Sequence, residues 1–415
     1  MGKEFQVCEI SHSDCRKVIG EKLKSKDFKV LDHEQIPFSE RNGYLGEHCT
    51  LRIDIERDGL EESFTFFVKA PPRSQSQRNF LEEINGHFKE KSFFNKYCPK
   101  LKKHGVDILD GAVPTCYHIG DEIFIFDDLK ALGYDTLPSR APLTVDCVKA
   151  ALSASAKLHA SGLILEERLS FRLTDEFASE VSETFYSGTK SPERAMKSCK
   201  EGLRALIDVT HKPEMKIGKE AFAERVLEGC DMQKVYVRPS TRFRNTICHA
   251  DPWTKNFLFK FEAGRPINCV VVDFQTYRYG PPAQDVLAFI YLVTDRGTRD
   301  AHLDDLLHFY YAELAANMEK YGVKDVVTKT EFFDSCDYFK RFALTQTLAH
   351  FQVVILSDEI AQELFGDPDK SERVIFGDGR RDFVVTVWQR DPIFRQKNSE
   401  IIADLREFYE AQLTL

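Results

Sequence analysis

Between Glu47 and Pro72 the chain reads EHCTLRIDIERDGLEESFTFFVKAPP, and this stretch limits the possible folds more than any other. Leu51, Ile53 and Ile55 alternate with polar residues, and Phe64, Phe66 and Val68 alternate in the same way. Successive side chains on a strand point to opposite faces, so each run predicts a strand with one buried face. Arg57-Asp58-Gly59 supplies the turn between them. Pro71-Pro72 then ends the pairing, because proline has no amide hydrogen to give a neighbouring strand.

The hydrophobic period changes along the rest of the chain. A helix is predicted over 13–24 with Ser13 as its N-cap. Residues 79–97 carry Phe80, Leu81, Ile84, Phe88, Phe93 and Phe94 at helical spacing, and EIFIFDDL at 122–129 reads as a further strand. From about residue 144 the spacing moves to 3.6, beginning with VDCVKAALSASAKLHASGLIL. Residues 166–240 favour helix. Two short strands, near 256–261 and 268–272, flank Glu262-Ala263-Gly264. The remainder reads as helices, with turns near Gly322, Gly366-Asp367-Pro368 and Gly377-Asp378-Gly379. The expected organisation is α+β in two lobes. Residues 1–129 form a small β-rich lobe with one main helix, 130–143 a linker broken by Gly133, Pro138 and Pro142, and 144–415 a large helical lobe.

Composition narrows the partners. The formal charge of -9 comes without any Lys/Arg block, which argues against a nucleic-acid ligand. The eleven cysteines form no C-x-x-C pair and are expected as buried, reduced thiols. No run reaches the roughly 18 apolar residues of a membrane span. A cytoplasmic chain without membrane or nucleic-acid partners is expected; protein partners stay open.

The chemistry is concentrated in ICHADPWTKNFLFKF and NCVVVDFQTYRYGPPAQD. His249, Asp251 and Asn256 have the H-x-D-x-x-x-x-N spacing of a phosphoryl-transfer loop, and Asp273 ends the apolar run that follows. A carboxylate at 251 can take the proton of an attacking hydroxyl. An amide oxygen at 256 and a carboxylate at 273 are the hard donors that Mg2+ takes alongside phosphates. This assigns 247–261 as a catalytic loop and 270–285 as a metal-binding segment. His249 reads as a structural histidine, His159 as a core or bracing residue and Asp285 as a buried brace. Lys69, at a strand end, can grip ATP phosphates while a glutamate holds it; Glu90 is the first choice, with Glu82 and Glu83 on the same segment. Gly43 and Gly46 suit a phosphate approach or an ordinary hairpin entry. Asp127-Asp128-Leu129 marks the crossing between lobes, where backbone groups can meet adenine or merely link.

Together FFVKAPP, EKSFFNKYCPKL, FIFDDLKALGY, AKLHA, CHADPWTKNFLFKF and VVDFQTYRYGPPAQD resemble the ecdysteroid-kinase-like (CHK-kinase-like) family of the aminoglycoside-phosphotransferase/choline-kinase superfamily. The resemblance implies a bilobal protein-kinase-like fold that uses ATP and Mg2+ to phosphorylate a small-molecule alcohol. By position it makes Asp251 the catalytic residue, Asn256 and Asp273 the metal ligands, and Lys69 with Glu90 the ATP-binding pair. Ala250 stands where the family usually has glycine, the hinge begins with Asp127 rather than Glu, and the E-x-x-F-Y pattern ends in Phe94. None of these removes a reacting group, so an active enzyme is expected. An ecdysteroid or similar lipophilic alcohol is the first acceptor; a choline- or ethanolamine-type kinase, a xenobiotic-detoxifying kinase and a nucleotide-binding pseudokinase are the alternatives.

Overall fold

The computed structural model describes residues 8–38, 46–72, 74–186, 189–212 and 216–413. A five-stranded antiparallel sheet comes first: β1 (Lys29–Pro37), β2 (Glu47–Arg57), β3 (Leu60–Ala70), β4 (Cys116–Ile119) and β5 (Phe124–Asp127), in the order β1-β2-β3-β5-β4. β2 and β3 pair in unbroken register and close on Asp58 and Gly59, both at positive φ (54° and 75°). That is the two-residue turn an Asp-Gly pair favours. The predicted alternation is realised: Leu51, Ile53, Ile55, Phe66 and Val68 form the buried face, covered by Cys15, Val18 and Ile19 of α1 (His12–Leu23).

Several features of this lobe differ from expectation. The cap of α1 is Ser11, not Ser13. The Ser11 hydroxyl accepts the Asp14 amide, and the Asp14 carboxylate accepts the Ser11 amide, so each satisfies a donor the helix leaves open. β1 was not expected because it is an edge strand in which only Val30 is buried, which leaves no alternation to read.

The predicted helix over 79–97 is broken into several pieces. α2 (Gln75–Glu83) ends at Ile84 and a left-handed Asn85 (φ 54°), α3 (Gly86–Ser92) follows, a π-helical turn spans Phe93–Tyr97, and α4 (Cys98–Lys103) completes it. Gly86 sits at the break for want of room: a Cβ there would come 2.4 Å from Leu81 Cδ1 and 3.5 Å from Gln275 Cβ.

The second lobe is mainly helical. α5 (Val145–Leu169), capped by Thr144, lies at its centre, followed by α6 (Leu173–Glu176), α7 (Lys190–Thr210) and α8 (Lys219–Tyr236). β6 (Tyr134–Thr136) falls within the expected linker and joins β8 (Phe257–Glu262) and β9 (Arg265–Val271) in a three-stranded sheet, while β7 (Thr246–Cys248) pairs with β10 (Arg278–Gly280). The β8–β9 turn is Ala263-Gly264, both left-handed (φ 47° and 75°), as a tight hairpin requires. α9 (Pro282–Val293) is buried on every side. α10 (Arg296–Glu319), α11 (Lys329–Val354), α12 (Asp358–Phe365), α13 (Pro368–Phe376), α14 (Arg380–Arg390) and α15 (Pro392–Ala411) follow, with the expected turns between them. Gly162 lets α5 lie directly on β7, where a Cβ would meet Thr246 Oγ1 at 2.5 Å and the Ile247 amide at 3.1 Å. A small antiparallel sheet lobe and a larger helical lobe make up the bilobal, protein-kinase-like α+β fold that was expected. All eleven cysteines are free. Among the described residues no helix is long and apolar enough to cross a membrane.

Candidate active site

The loop that leaves β7 is shaped by buried charge. Asp285, in the first turn of α9, accepts the backbone amides of His249 and of Ala250 (3.0 Å). Its carboxylate is also held by His159 Nε2 at 3.2 Å, and His159 Nδ1 meets the Tyr310 hydroxyl at 2.6 Å. The predicted brace is therefore a chain from α10 through α5 and α9 to the loop. Burial alone would raise the Asp285 carboxyl; the His159 hydrogen bond, with Arg278 as a nearby charge, holds it below its ordinary value instead. Cys248 lies close enough to His159 and Asp285 to suggest a metal cluster, but its thiol donates to the Gly280 carbonyl and the other two are occupied in the brace.

Fixing both amides forces the loop to turn sharply, and Ala250 takes a left-handed conformation at φ 71°. His249 Nε2 lies 2.8 Å from the Val272 carbonyl, so that nitrogen carries the hydrogen and Nδ1 is left to accept the Asp251 amide at 3.3 Å. His249 thus ties the loop to the segment ahead of Asp273. After Trp253, a single 3₁₀ turn (Thr254–Asn256) brings Asn256 back over Asp251. Asn256 Nδ2 donates to the Asp251 carbonyl (2.8 Å) and to Asp251 Oδ2 (3.1 Å). This leaves the amide oxygen Oδ1 as the group able to take a hard cation. The Val272 amide donates to the Asn256 carbonyl at 3.0 Å, so residues 256 and 273 are held side by side.

Lys69 reaches this site from the other lobe. Its Nζ is 2.6 Å from Glu90 Oε2 and 2.8 Å from Asp273 Oδ1. Glu90 is buried, and its other oxygen accepts the Phe274 amide at 3.3 Å. Glu90, not Glu82 or Glu83, is the partner: Glu83 is bound to the Ser191 amide and hydroxyl at 2.7 and 2.8 Å. Phe274 stacks on Phe93 with centroids 3.8 Å apart, which locks the π-helical turn against the segment carrying Asp273. Asp273 itself is left-handed (φ 69°). Burial works against all three charges. It raises Glu90, whose partner Lys69 only partly offsets it; for Lys69 and Asp273 their mutual attraction prevails, so the lysine is raised and the aspartate lowered.

The other expected residues are placed less directly. Gly43 lies outside the described residues, and Gly46 immediately precedes β2. The Asp127 carboxylate accepts Lys22 (3.1 Å) and the Tyr117 hydroxyl (2.8 Å), tying the end of β5 to α1. Asp128 Oδ1 accepts the Ala131 amide at 3.1 Å, and the Leu129 amide and carbonyl are used at 3.0 and 2.9 Å within the same turn. A cavity of about 440 Å3 opens beside Lys69, lined also by Arg78, Glu82, His87, Phe124 and Gln275.

Asp251 has a neighbour that the sequence did not announce. His350 of α11 places Nε2 4.0 Å from Asp251 Oδ1. Burial raises the Asp251 carboxyl above its ordinary value; His350 and His249 work against this, and Asp273 adds to it. No spacing signal marks His350, which sits in a helix of ordinary composition.

Compared with known families, residues 40–323 match the ecdysteroid kinase-like family. The chain belongs to that family. It is thereby placed among small-molecule kinase-like proteins, as the sequence motifs implied. No curated protein matches it. Among solved structures it is similar to choline kinase from Cryptosporidium parvum Iowa II (12% identity, 95% of this chain and 97% of that one, TM-score 0.39). Others are a microcompartment-associated aminopropanol kinase (12%, 92% and 99%, TM-score 0.33) and the GDP complex of aminoglycoside 2'-phosphotransferase-IIIa (12%, 94% and 96%, TM-score 0.38). At such identity and TM-score these likenesses assign nothing to this member of the ecdysteroid kinase-like family.

Proposed function

We infer that this chain is an ATP-dependent kinase that phosphorylates a hydroxyl group of a small molecule, with an ecdysteroid or similar lipophilic alcohol as acceptor. The observation that carries the reading is the convergence of Lys69, Asp251, Asn256 and Asp273 from two lobes on one site. Asp273 and Asn256 offer a carboxylate and an amide oxygen, a donor set that fits Mg2+ together with phosphate oxygens and water. When bound, the ion neutralises charge on the triphosphate. Lys69, held by Glu90, faces the same region and grips the α- and β-phosphates. Asp251 receives the proton of the attacking hydroxyl, help that is typically worth about 10²–10⁴-fold. The turn at Asp127-Asp128-Leu129 and the glycines at 43 and 46 are assigned to the nucleotide side, 1–129 to the ATP-binding lobe and 144–415 to the acceptor lobe. We place its work in the cytoplasm.

The test is a screen of ecdysteroids, sterols, choline and plant toxins with Mg-ATP, using Asp251→Asn as control. Transfer to an ecdysteroid that falls at least about 10²-fold in the variant, with ATP binding retained, is the expected result. Transfer to choline or to a plant toxin alone would replace the acceptor, and binding of ATP without any turnover would identify a pseudokinase.

A further inference from the structure

His350 places Nε2 4.0 Å from Asp251 Oδ1 and has no part in the motifs above. Its Nδ1 lies 2.9 Å from the Gln346 carbonyl, one turn earlier on α11. A carbonyl only accepts, so Nδ1 carries the hydrogen. The nitrogen that faces Asp251 is therefore Nε2, bare in the neutral ring and an N–H donor in the imidazolium. At 4.0 Å the Nε2 to Oδ1 separation is too long for a direct hydrogen bond. It suits one oxygen bonded to both. In the neutral ring the two facing atoms are both acceptors, and only a donor between them satisfies either. In the imidazolium the arrangement N–H···O–H···carboxylate satisfies every group. The gap is also reachable: the side chains of Asp251 and His350 keep 33% and 23% of their exposure.

We propose that the reacting hydroxyl of the acceptor sits between Asp251 Oδ1 and His350 Nε2, which makes His350 a second residue in contact with the reacting oxygen. This rests on the reading of Asp251 as proton acceptor. In the step, the hydroxyl oxygen forms a bond to the γ-phosphorus while its O–H bond breaks and the proton passes to Asp251. The bond from the γ-phosphorus to the bridging oxygen breaks, and its electron pair leaves with ADP. His350, as the imidazolium, donates Nε2–H to the hydroxyl oxygen and neither gains nor loses a proton, so that the remaining lone pair points at phosphorus. Because the contact is to the hydroxyl alone, it is independent of the rest of the acceptor, and water occupies the same place when no alcohol is bound.

Water is accordingly the probe. Mg-ATP hydrolysis is measured without alcohol for the wild type, His350→Ala, His350→Gln and Asp251→Asn. His350→Ala is expected to lower kcat at least roughly tenfold, a loss of one well-placed contact, with KM for ATP unchanged. His350→Gln, which restores a polar group near the gap, should recover part of it. An unaltered kcat in His350→Ala, or a parallel rise in KM for ATP, overturns the proposal. Should Asp251→Asn abolish hydrolysis while His350→Ala does not, only His350 loses its role; should Asp251→Asn hydrolyse normally, the assignment of Asp251 fails first. A second measurement needs no turnover. Long-range ¹⁵N spectra of histidine-labelled protein should show His350 carrying hydrogen on both Nδ1 and Nε2, and a neutral ring protonated only at Nδ1 refutes the arrangement.

Discussion

Replacing Asp285 by Asn keeps the shape of the side chain and removes its charge, which isolates what the brace does. In the native protein two backbone amides and one imidazole nitrogen converge on the two carboxylate oxygens. Asparagine has one acceptor oxygen. If that oxygen stays with His159 and His249, the new NH2 faces the Ala250 amide, and one buried N–H is orphaned. An orphaned buried donor costs about 1–3 kcal/mol, and converting the remaining bonds from charged to neutral acceptors costs about 1 kcal/mol more. The expected loss is therefore about 2–4 kcal/mol, read from urea denaturation at pH 7.5. The pH dependence follows from the sign of the shift. The folded carboxyl lies below its unfolded value of about 3.9, so its stabilisation is complete above that pH and disappears as pH falls through the folded value. The gap between wild type and variant should therefore narrow on acidification below about pH 4. A loss under about 1 kcal/mol at neutral pH, or a gap that widens with acid, would refute the assignment of Asp285 as the anion that shapes this loop.

Two further outcomes follow from the same geometry. Asp251 has a folded carboxyl raised by burial, so its contribution to stability is full below the unfolded value and is lost as pH rises through the folded one. Asp251→Asn should accordingly melt higher than wild type at pH 7.5 and equally near pH 4; a variant that melts lower at pH 7.5 would show that the ionised form is not the strained one. At Ala250, glycine relieves roughly 1–2 kcal/mol of left-handed strain. It also gives up about 0.4–1 kcal/mol to unfolded-chain freedom and about 0.8 kcal/mol of methyl burial. Ala250→Gly should thus shift stability by less than about 1 kcal/mol, and a larger change in chemical denaturation would mean that one of these three quantities is misjudged.

What the sequence determined by itself is local. Alternation placed β2 and β3, Asp58-Gly59 and Ala263-Gly264 placed their turns, and five residues of spacing were enough to put Asn256 back over Asp251. Each depends on groups a few residues apart, where backbone geometry leaves little freedom. β1 escaped because an edge strand with one buried residue carries no periodic signal. The sequence ranked Glu90 first, and the tertiary structure settled that it, and not Glu82 or Glu83, meets Lys69. That choice turns on the left-handed Asn85, which breaks the helix, and on Phe93 stacking upon Phe274. It also decided that Lys69 meets Asp273, 204 residues away, and that His350 faces Asp251 from a helix with no motif. Periodicity records which face of an element is buried; it does not record which distant side chain packing will bring against it.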